Sequence, residues 1–113
     1  MGKGTHLGEA EHLMLLAVWR LGKSTHGAAI RDEVAERTGR RLSVSAIYVT
    51  LVRLEKKGYV SSFLANPTPV RGGKAKRYFT VKKKGIAELE ESRRRMERMW
   101  EGLGTAADTE LAS

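Results

Sequence analysis

The chain has 113 residues, no cysteine and a net charge of +8. This length fits one domain with a modest core, and the lack of cysteine excludes disulfides, thiolate nucleophiles and cysteine-based metal sites. The longest apolar run, 13–19, is too short to span a bilayer and no signal peptide precedes it, so we expect a cytoplasmic protein without membrane contact.

The positive charge is concentrated in the middle of the chain. Between Arg40 and Gly85 there are twelve lysines and arginines and a single acid, Glu55, which gives this segment a charge of +11. The rest of the chain holds nine basic and twelve acidic residues and carries −3. This separation predicts an anionic partner for the middle segment.

A helical period predicts a first helix from Leu7 to Leu21 with apolar residues on two sides. Leu15 and Trp19, four residues apart, form the second apolar stripe, and a small domain has little to cover it. Three explanations remain open: a partner subunit, an exposed tryptophan edge, or cover by the C-terminal helix of the same chain.

The next predicted helix runs from about His26 to Thr38. Ser24 or Thr25 is the expected N-cap, and Gly39 is the expected stop. Gly27 has no side chain, so we expect a neighbouring helix to approach closely there.

The third predicted helix lies between the N-cap Ser43 and the stop residue Gly58. Its expected inward face consists of Val44, Ile47, Leu51 and Leu54. Its opposite face consists of Ser45, Val49, Arg53 and Lys56, with Tyr48 on the flank. A helix in a DNA major groove needs such a face, with small groups for base edges followed by cations for phosphates. An ordinary amphipathic helix with a solvated face is the alternative for this segment alone.

Two β-rich runs follow, 59–65 and 76–82, which predict a hairpin. The connection, 66–75, contains two prolines and a Gly-Gly pair and is expected to form an irregular tip. The tip and its flanks carry four cations and no acid: Arg71, Lys74, Lys76 and Arg77. A basic hairpin beside a recognition helix is typical of a DNA-contacting wing. Alternatively, the lysines only keep an edge strand from aggregating.

A last helix is predicted from Lys84 to Leu103. Its apolar residues follow a heptad pattern: Ile86, Leu89, Met96, Trp100 and Leu103. This is enough for pairing with another surface, though too short to define a coiled coil. Residues 105–113 are expected to be a disordered tail.

The sequence gives little support for metal binding or catalysis. Glu9 and His12 have a spacing that can bind metal, but no third ligand is evident. No Ser-His-Asp or paired-carboxylate arrangement is present. We therefore expect no enzyme, no cofactor and no metal site.

Several sequence blocks, in this order, make the chain resemble PadR-family transcriptional regulators with a short C-terminal region. The blocks are 15–18, 26–30, 46–51, 53–60 and 72–79, followed by Gly85. Lys82 departs from the pattern, because the family usually has a threonine there that caps the last helix.

The resemblance implies a mainly α fold with a small β-hairpin. Residues 1–83 would form a winged helix-turn-helix DNA-binding domain, and 84–104 a C-terminal dimerisation helix. It also implies a homodimer on a pseudo-palindromic DNA operator, acting as a repressor in a prokaryotic cytoplasm and often released by a small molecule.

Together, the residues and the resemblance predict three sets of contacts. Bases or the adjoining backbone would meet Ser43, Ser45, Tyr48 and Val49, with Val49 against a thymine methyl group. Phosphates would meet Arg53, Lys56, Arg71, Lys74, Lys76 and Arg77. The dimer would use Leu15, Trp19, Leu89, Met96, Trp100 and Leu103. A small aromatic effector would bind at Leu15, Trp19, Met96 and Trp100, unless these residues serve dimer packing alone.

Two other functions remain open: a winged-helix module that binds an acidic protein, and a small-molecule binding protein with residual DNA affinity. The charge of the 40–85 segment favours DNA over both.

Overall fold

A computed structural model describes residues 7–22, 25–65 and 76–104. The elements follow in the order α1 (Glu9–Leu21), α2 (Gly27–Thr38), α3 (Val44–Lys56), β1 (Val60–Leu64), β2 (Arg77–Val81) and α4 (Lys83–Trp100). The predicted mainly α fold with a β-hairpin is confirmed. The hairpin tip, with Arg71 and Lys74, and the tail, 105–113, lie outside the described residues.

The hydrophobic core collects side chains from all four helices and from the sheet. Strands β1 and β2 pair antiparallel, with Val60 opposite Val81 and Leu64 opposite Arg77. The buried set is Met14, Leu15, Ala17, Val18, Ile30, Val34, Ile47, Leu51, Leu54, Tyr59, Val60, Phe79 and Leu89.

Local sequence signals set the ends of α3 as predicted. The Ala46 amide donates to Ser43 Oγ over 3.1 Å, which is an N-cap bond. Gly58 follows the helix with a φ of +85°, a conformation that L side chains rarely adopt.

Two predictions about helix ends are wrong. Val44 does not face inward. It is the first residue of α3, lies outside the core and is 53% exposed. Thr25 does not cap α2, whose N-cap position is His26. Instead, Thr25 forms an isolated bridge with Phe79 of β2, with N–H···O distances of 3.1 and 2.7 Å. The connection before α2 is thereby tied to the hairpin.

Helix α4 begins tightly against Tyr59, the residue before β1. The Lys82 amide donates to the Tyr59 carbonyl oxygen over 2.9 Å, and a Cβ at Gly85 would collide with that same oxygen. Lys82 is the N-cap residue and makes no side-chain cap bond. Further along, Leu89 enters the core and Ser92 Oγ lies 3.2 Å from His12 Nδ1 on α1. From residue 96 onward every described side chain is exposed.

Candidate nucleic-acid interface

The face of α3 that points away from the core carries the residues predicted to meet DNA bases. Ser45 is exposed, and Val49 is 56% exposed. Val52, which the sequence analysis did not assign to this face, is 47% exposed. Val52 follows Ser45 by seven residues, so helical periodicity alone could have placed it there. Val49 and Val52 line one shallow groove together with Tyr48, Arg53 and Lys56.

Tyr48 lies at the flank of this face and is held by two neighbours. A Cβ added at Gly27 would lie 3.2 Å from the Tyr48 ring, so the ring packs directly on the first residue of α2. This is the close approach predicted for Gly27, made by a side chain of α3. The Phe79 ring lies 6.5 Å away, centroid to centroid. Tyr48 remains 39% exposed, so its outer edge is available to a ligand.

Exposed cations lie on this face, in the turn before α3 and at the base of the hairpin. Arg53 and Lys56 lie on α3, Arg41 lies in the turn before it, and Lys76 lies at the base of the hairpin. Within the described ranges 7–22, 25–65 and 76–104, none of the four has an acid within ion-pair distance. The sequence analysis did not assign Arg41 to the site, although its position just before the N-cap Ser43 was a usable signal. Exposed cations without an acid in ion-pair distance are suited to phosphates.

Other cations of the same segment are paired within the chain. Arg40 Nη1 lies 2.8 Å from a Glu9 carboxylate oxygen. The Lys57 ammonium lies 3.0 and 3.1 Å from the two oxygens of the buried Glu11 carboxylate. Burial raises the pKa of Glu11, but the hydrogen bond from the Gly8 amide and the charge of Lys57 outweigh it, so the net pKa is lowered. This pair links the start of α1 to the end of α3.

The only acid of the basic segment, Glu55, joins α3 to both strands of the hairpin. Its carboxylate accepts a hydrogen bond from Ser62 Oγ of β1, at 2.9 Å to each oxygen. Arg77 of β2 in turn donates to Ser62 Oγ over 3.0 Å. The half-buried Arg77 therefore has a partner inside the chain that charge counting did not foresee. Its predicted phosphate contact stays a prediction. The network fixes the wing relative to the helix.

Exposed apolar side chains also lie on α1 and at the outer end of α4. Trp19 is 42% exposed and Trp100 is 60% exposed. Met96 and Met99 are also exposed, and with Trp100 they follow the i, i+3, i+4 spacing of one helix face. Leu103 is exposed as well, but it lies beyond the helix, because α4 ends at Trp100 and not at Leu103 as predicted. Met99 was not among the residues predicted for this surface.

The prediction that Leu15 and Leu89 contact a partner subunit is wrong. Leu15 has 0% exposure and Leu89 has 3%, because both lie in the core of their own chain. Leu15 therefore forms no exposed stripe with Trp19, and neither residue presents surface to a partner or an effector.

Among the described residues, no three His, Cys, Asp or Glu side chains lie close enough together to hold a metal ion. No helix in the same part of the chain is long and apolar enough to cross a membrane.

Comparison with known families identifies the chain's relatives. The model of the transcriptional regulator PadR-like family matches residues 15–91. A comparison with proteins of curated function gave no match.

Solved structures show the same fold. A PadR family transcriptional regulator from Eggerthella lenta is 22% identical, with a TM-score of 0.68 over 88% of this chain and 85% of that one. A PadR family transcription regulator from Clostridium difficile is 24% identical, with a TM-score of 0.66 over 82% of this chain and 95% of that one. A PadR-like regulator from Bacillus cereus is 18% identical, with a TM-score of 0.68 over 89% and 93%. At these identities, the likeness concerns the fold alone.

Proposed function

Because the chain belongs to the PadR-like family of transcriptional regulators, which are not enzymes, we propose that it binds one sequence of double-stranded DNA as a homodimeric repressor. One observation carries this proposal. The exposed face of α3 places the small side chains Val49 and Val52 beside Arg53 and Lys56, and neither cation has an acid within ion-pair distance among the described residues. In this arrangement Ser45, Tyr48 and Val49 meet base edges, while Arg53 and Lys56 meet phosphates.

The proposed dimer rests on the exposed apolar side chains at the outer end of α4. Met96, Met99 and Trp100 on the helix, and Leu103 just after it, are not covered by any other described part of the chain. Exposed tryptophan and methionine at this density favour a protein partner, and a second copy of the chain is the simplest one. Two copies of α3 related by two-fold symmetry would read a pseudo-palindromic operator in adjacent turns of the major groove.

The proposed effector site uses exposed side chains of both α1 and α4. Trp19, Met96 and Trp100 offer aromatic and thioether groups suited to stacking on a flat aromatic compound. Such a compound would release the repressor from its operator in a prokaryotic cytoplasm.

The first experiment is a fluorescence-anisotropy titration with DNA from upstream of the protein's own gene, at two salt concentrations, with random DNA as control. We expect a preference of at least about a thousandfold for one site and a steep loss of affinity with salt. Equal, weak and salt-sensitive binding to both DNAs would contradict sequence-specific regulation. No binding to either would favour a winged-helix module that contacts an acidic protein.

A pair of variants tests the assigned phosphate contacts. Lys56→Ala should weaken binding to preferred and random DNA alike, and lower the salt slope by about 0.9 because one fewer counterion is released. Arg94→Ala is the matched control, since Arg94 lies on α4 and pairs with Glu91 at 2.9 Å. A loss confined to the preferred site in Lys56→Ala would contradict the phosphate role.

A further inference from the structure

The groove on the outer face of α3 is more apolar than a DNA-contacting surface requires. Val49 and Val52 are about half exposed, and neither contributes to the core. Both are β-branched, which lowers helix propensity, so they do not serve helix formation either. Their exposure has no explanation within the chain.

The polar groups of α3 offer little for hydrogen-bonded base reading. The helix sequence, VSAIYVTLVRLEK, contains no asparagine, glutamine or aspartate. The bidentate contact to adenine needs an asparagine or glutamine side chain, so α3 cannot make it. Thr50 faces inward at 8% exposure. With Arg53 and Lys56 assigned to phosphates, Ser45 and Tyr48 are the remaining candidates for polar base contacts from this face.

One base-edge group in the major groove is apolar, namely the C5-methyl group of thymine. We infer that this protein selects its DNA through pyrimidine 5-methyl groups, contacted by Val49 and Val52. This inference rests on the proposed DNA-binding function and adds the chemical group of the DNA that the protein recognises. Cytosine methylated at C5 presents the same group at the same edge, so it should be preferred to unmethylated cytosine at these positions.

The spacing of the two valines suits neighbouring base pairs. Residues three apart lie on adjacent parts of one helix face and are separated by about 4.5 Å along the axis. Successive base pairs are separated by about 3.4 Å. The two valines can therefore reach methyl groups on adjacent steps, while Arg53 and Lys56 on the same groove rim hold the backbone.

The test uses a preferred site isolated by the protein from a pool of random DNA. Each thymine of that site is replaced in turn by deoxyuridine, which removes the methyl group and nothing else. At contacted positions we expect affinity to fall about fourfold, the equivalent of one buried methylene, and to stay unchanged elsewhere. At the same positions, 5-methylcytosine should bind about fourfold more tightly than cytosine.

Variants assign the effect to the two valines. Val49→Ala and Val52→Ala should each abolish the deoxyuridine effect at one position, without loss of thermal stability. Val44→Ala is the matched control, because Val44 is 53% exposed on the same helix but lines a different groove, with His26 and Ala28.

Three results would contradict, in turn, methyl recognition, the assignment to the two valines and specific DNA binding itself. Equal affinity for the thymine and deoxyuridine sites would overturn methyl reading while leaving specific DNA binding intact. An equal loss of methyl sensitivity in Val44→Ala would overturn the assignment to Val49 and Val52. Failure of the protein to enrich any site from the random pool would overturn the proposed function and this inference with it.

Discussion

Helix α3 and the outer end of α4 both expose apolar side chains, but the charges around them differ. Around Val49 and Val52, the cations Arg53 and Lys56 have no acid within ion-pair distance among the described residues. On α4, each arginine of the run 93–95 has a glutamate within 4 Å on the same helix, with the shortest N···O distance of each at 3.6, 2.9 and 3.1 Å.

The difference indicates the kind of partner that each surface accepts. Exposed ion pairs stabilise a helix only slightly, but they leave little net charge around an apolar face. The face with Met96 and Trp100 is thus suited to a neutral protein surface. The unpaired cations of α3 create a positive potential that only an anion compensates.

A substitution at Trp100 should have a strong effect on dimer formation. Trp100→Asp places a charge in the centre of the proposed dimer contact and should raise the dimer dissociation constant about a hundredfold, as for a hot-spot tryptophan. Sedimentation velocity across a concentration series measures it. Arg98→Asp, on the opposite side of the same turn, should dimerise normally. If Trp100→Asp dimerised as well as Arg98→Asp, this end of α4 would not be the interface.

A smaller effect is expected on the α3 side. Glu55→Gln removes the charge that accepts from Ser62 and, through it, orders Arg77. We expect the free energy of unfolding to fall by about 1–3 kcal/mol, and affinity to drop for all DNA sequences, because the wing loses its fixed position. Denaturant unfolding and anisotropy titrations measure the two quantities.

The same substitution elsewhere provides the control. Glu90 is exposed on α4 and makes no hydrogen bond or ion pair with the described residues, so Glu90→Gln should leave stability and affinity unchanged. Identical behaviour of the two variants would show that the Glu55 network does not position the wing.

A weak pH dependence of stability is expected from His12, which contacts α4 where its buried and exposed halves meet. Burial lowers the pKa of His12, Arg95 lowers it further, and Glu88 partly opposes them, so the pKa lies below the ordinary 6.5. Between the lowered pKa and 6.5, the unfolded chain binds more protons than the folded one. The free energy of unfolding should therefore fall as pH drops through this window, and the His12 contribution should be constant above it.

Unfolding curves between about pH 5.5 and 8 measure this dependence. His12→Asn keeps a polar atom near Ser92 Oγ but does not titrate, so it should flatten the curve in that window. A slope equal to that of the unmodified protein would assign the effect to other groups.

Much of α3 could be predicted because its determinants are local. Ser43 and Gly58 set its ends, and helical periodicity placed Ser45 and Val49 outside. Leu15 could not be placed in the same way, because periodicity shows that a side is apolar but not what covers it. In the structure α1 contacts α2, α3, β2 and α4, so both of its apolar sides are largely buried within the chain.

Non-local contacts account for the other differences. Thr25 pairs with Phe79, which lies more than fifty positions later, and no local capping signal reveals such a bridge. Arg77 was counted among the free cations because its partner Ser62 lies on the opposite strand. Charge counts along a sequence do not include partners that only folding brings near.

The outward face of α3 also bears on how this protein could diverge from its relatives. Ser45, Val49 and Val52 are exposed and absent from the core, so most substitutions there should change the free energy of unfolding by only about 0.5 kcal/mol. Gly27, under the Tyr48 ring, and Glu55, beside the wing, have no such freedom. Under the proposed DNA-binding function, mutation of this face would change the target sequence while selection on folding leaves the scaffold unchanged, and gene duplication followed by drift there would produce regulators with separate operators.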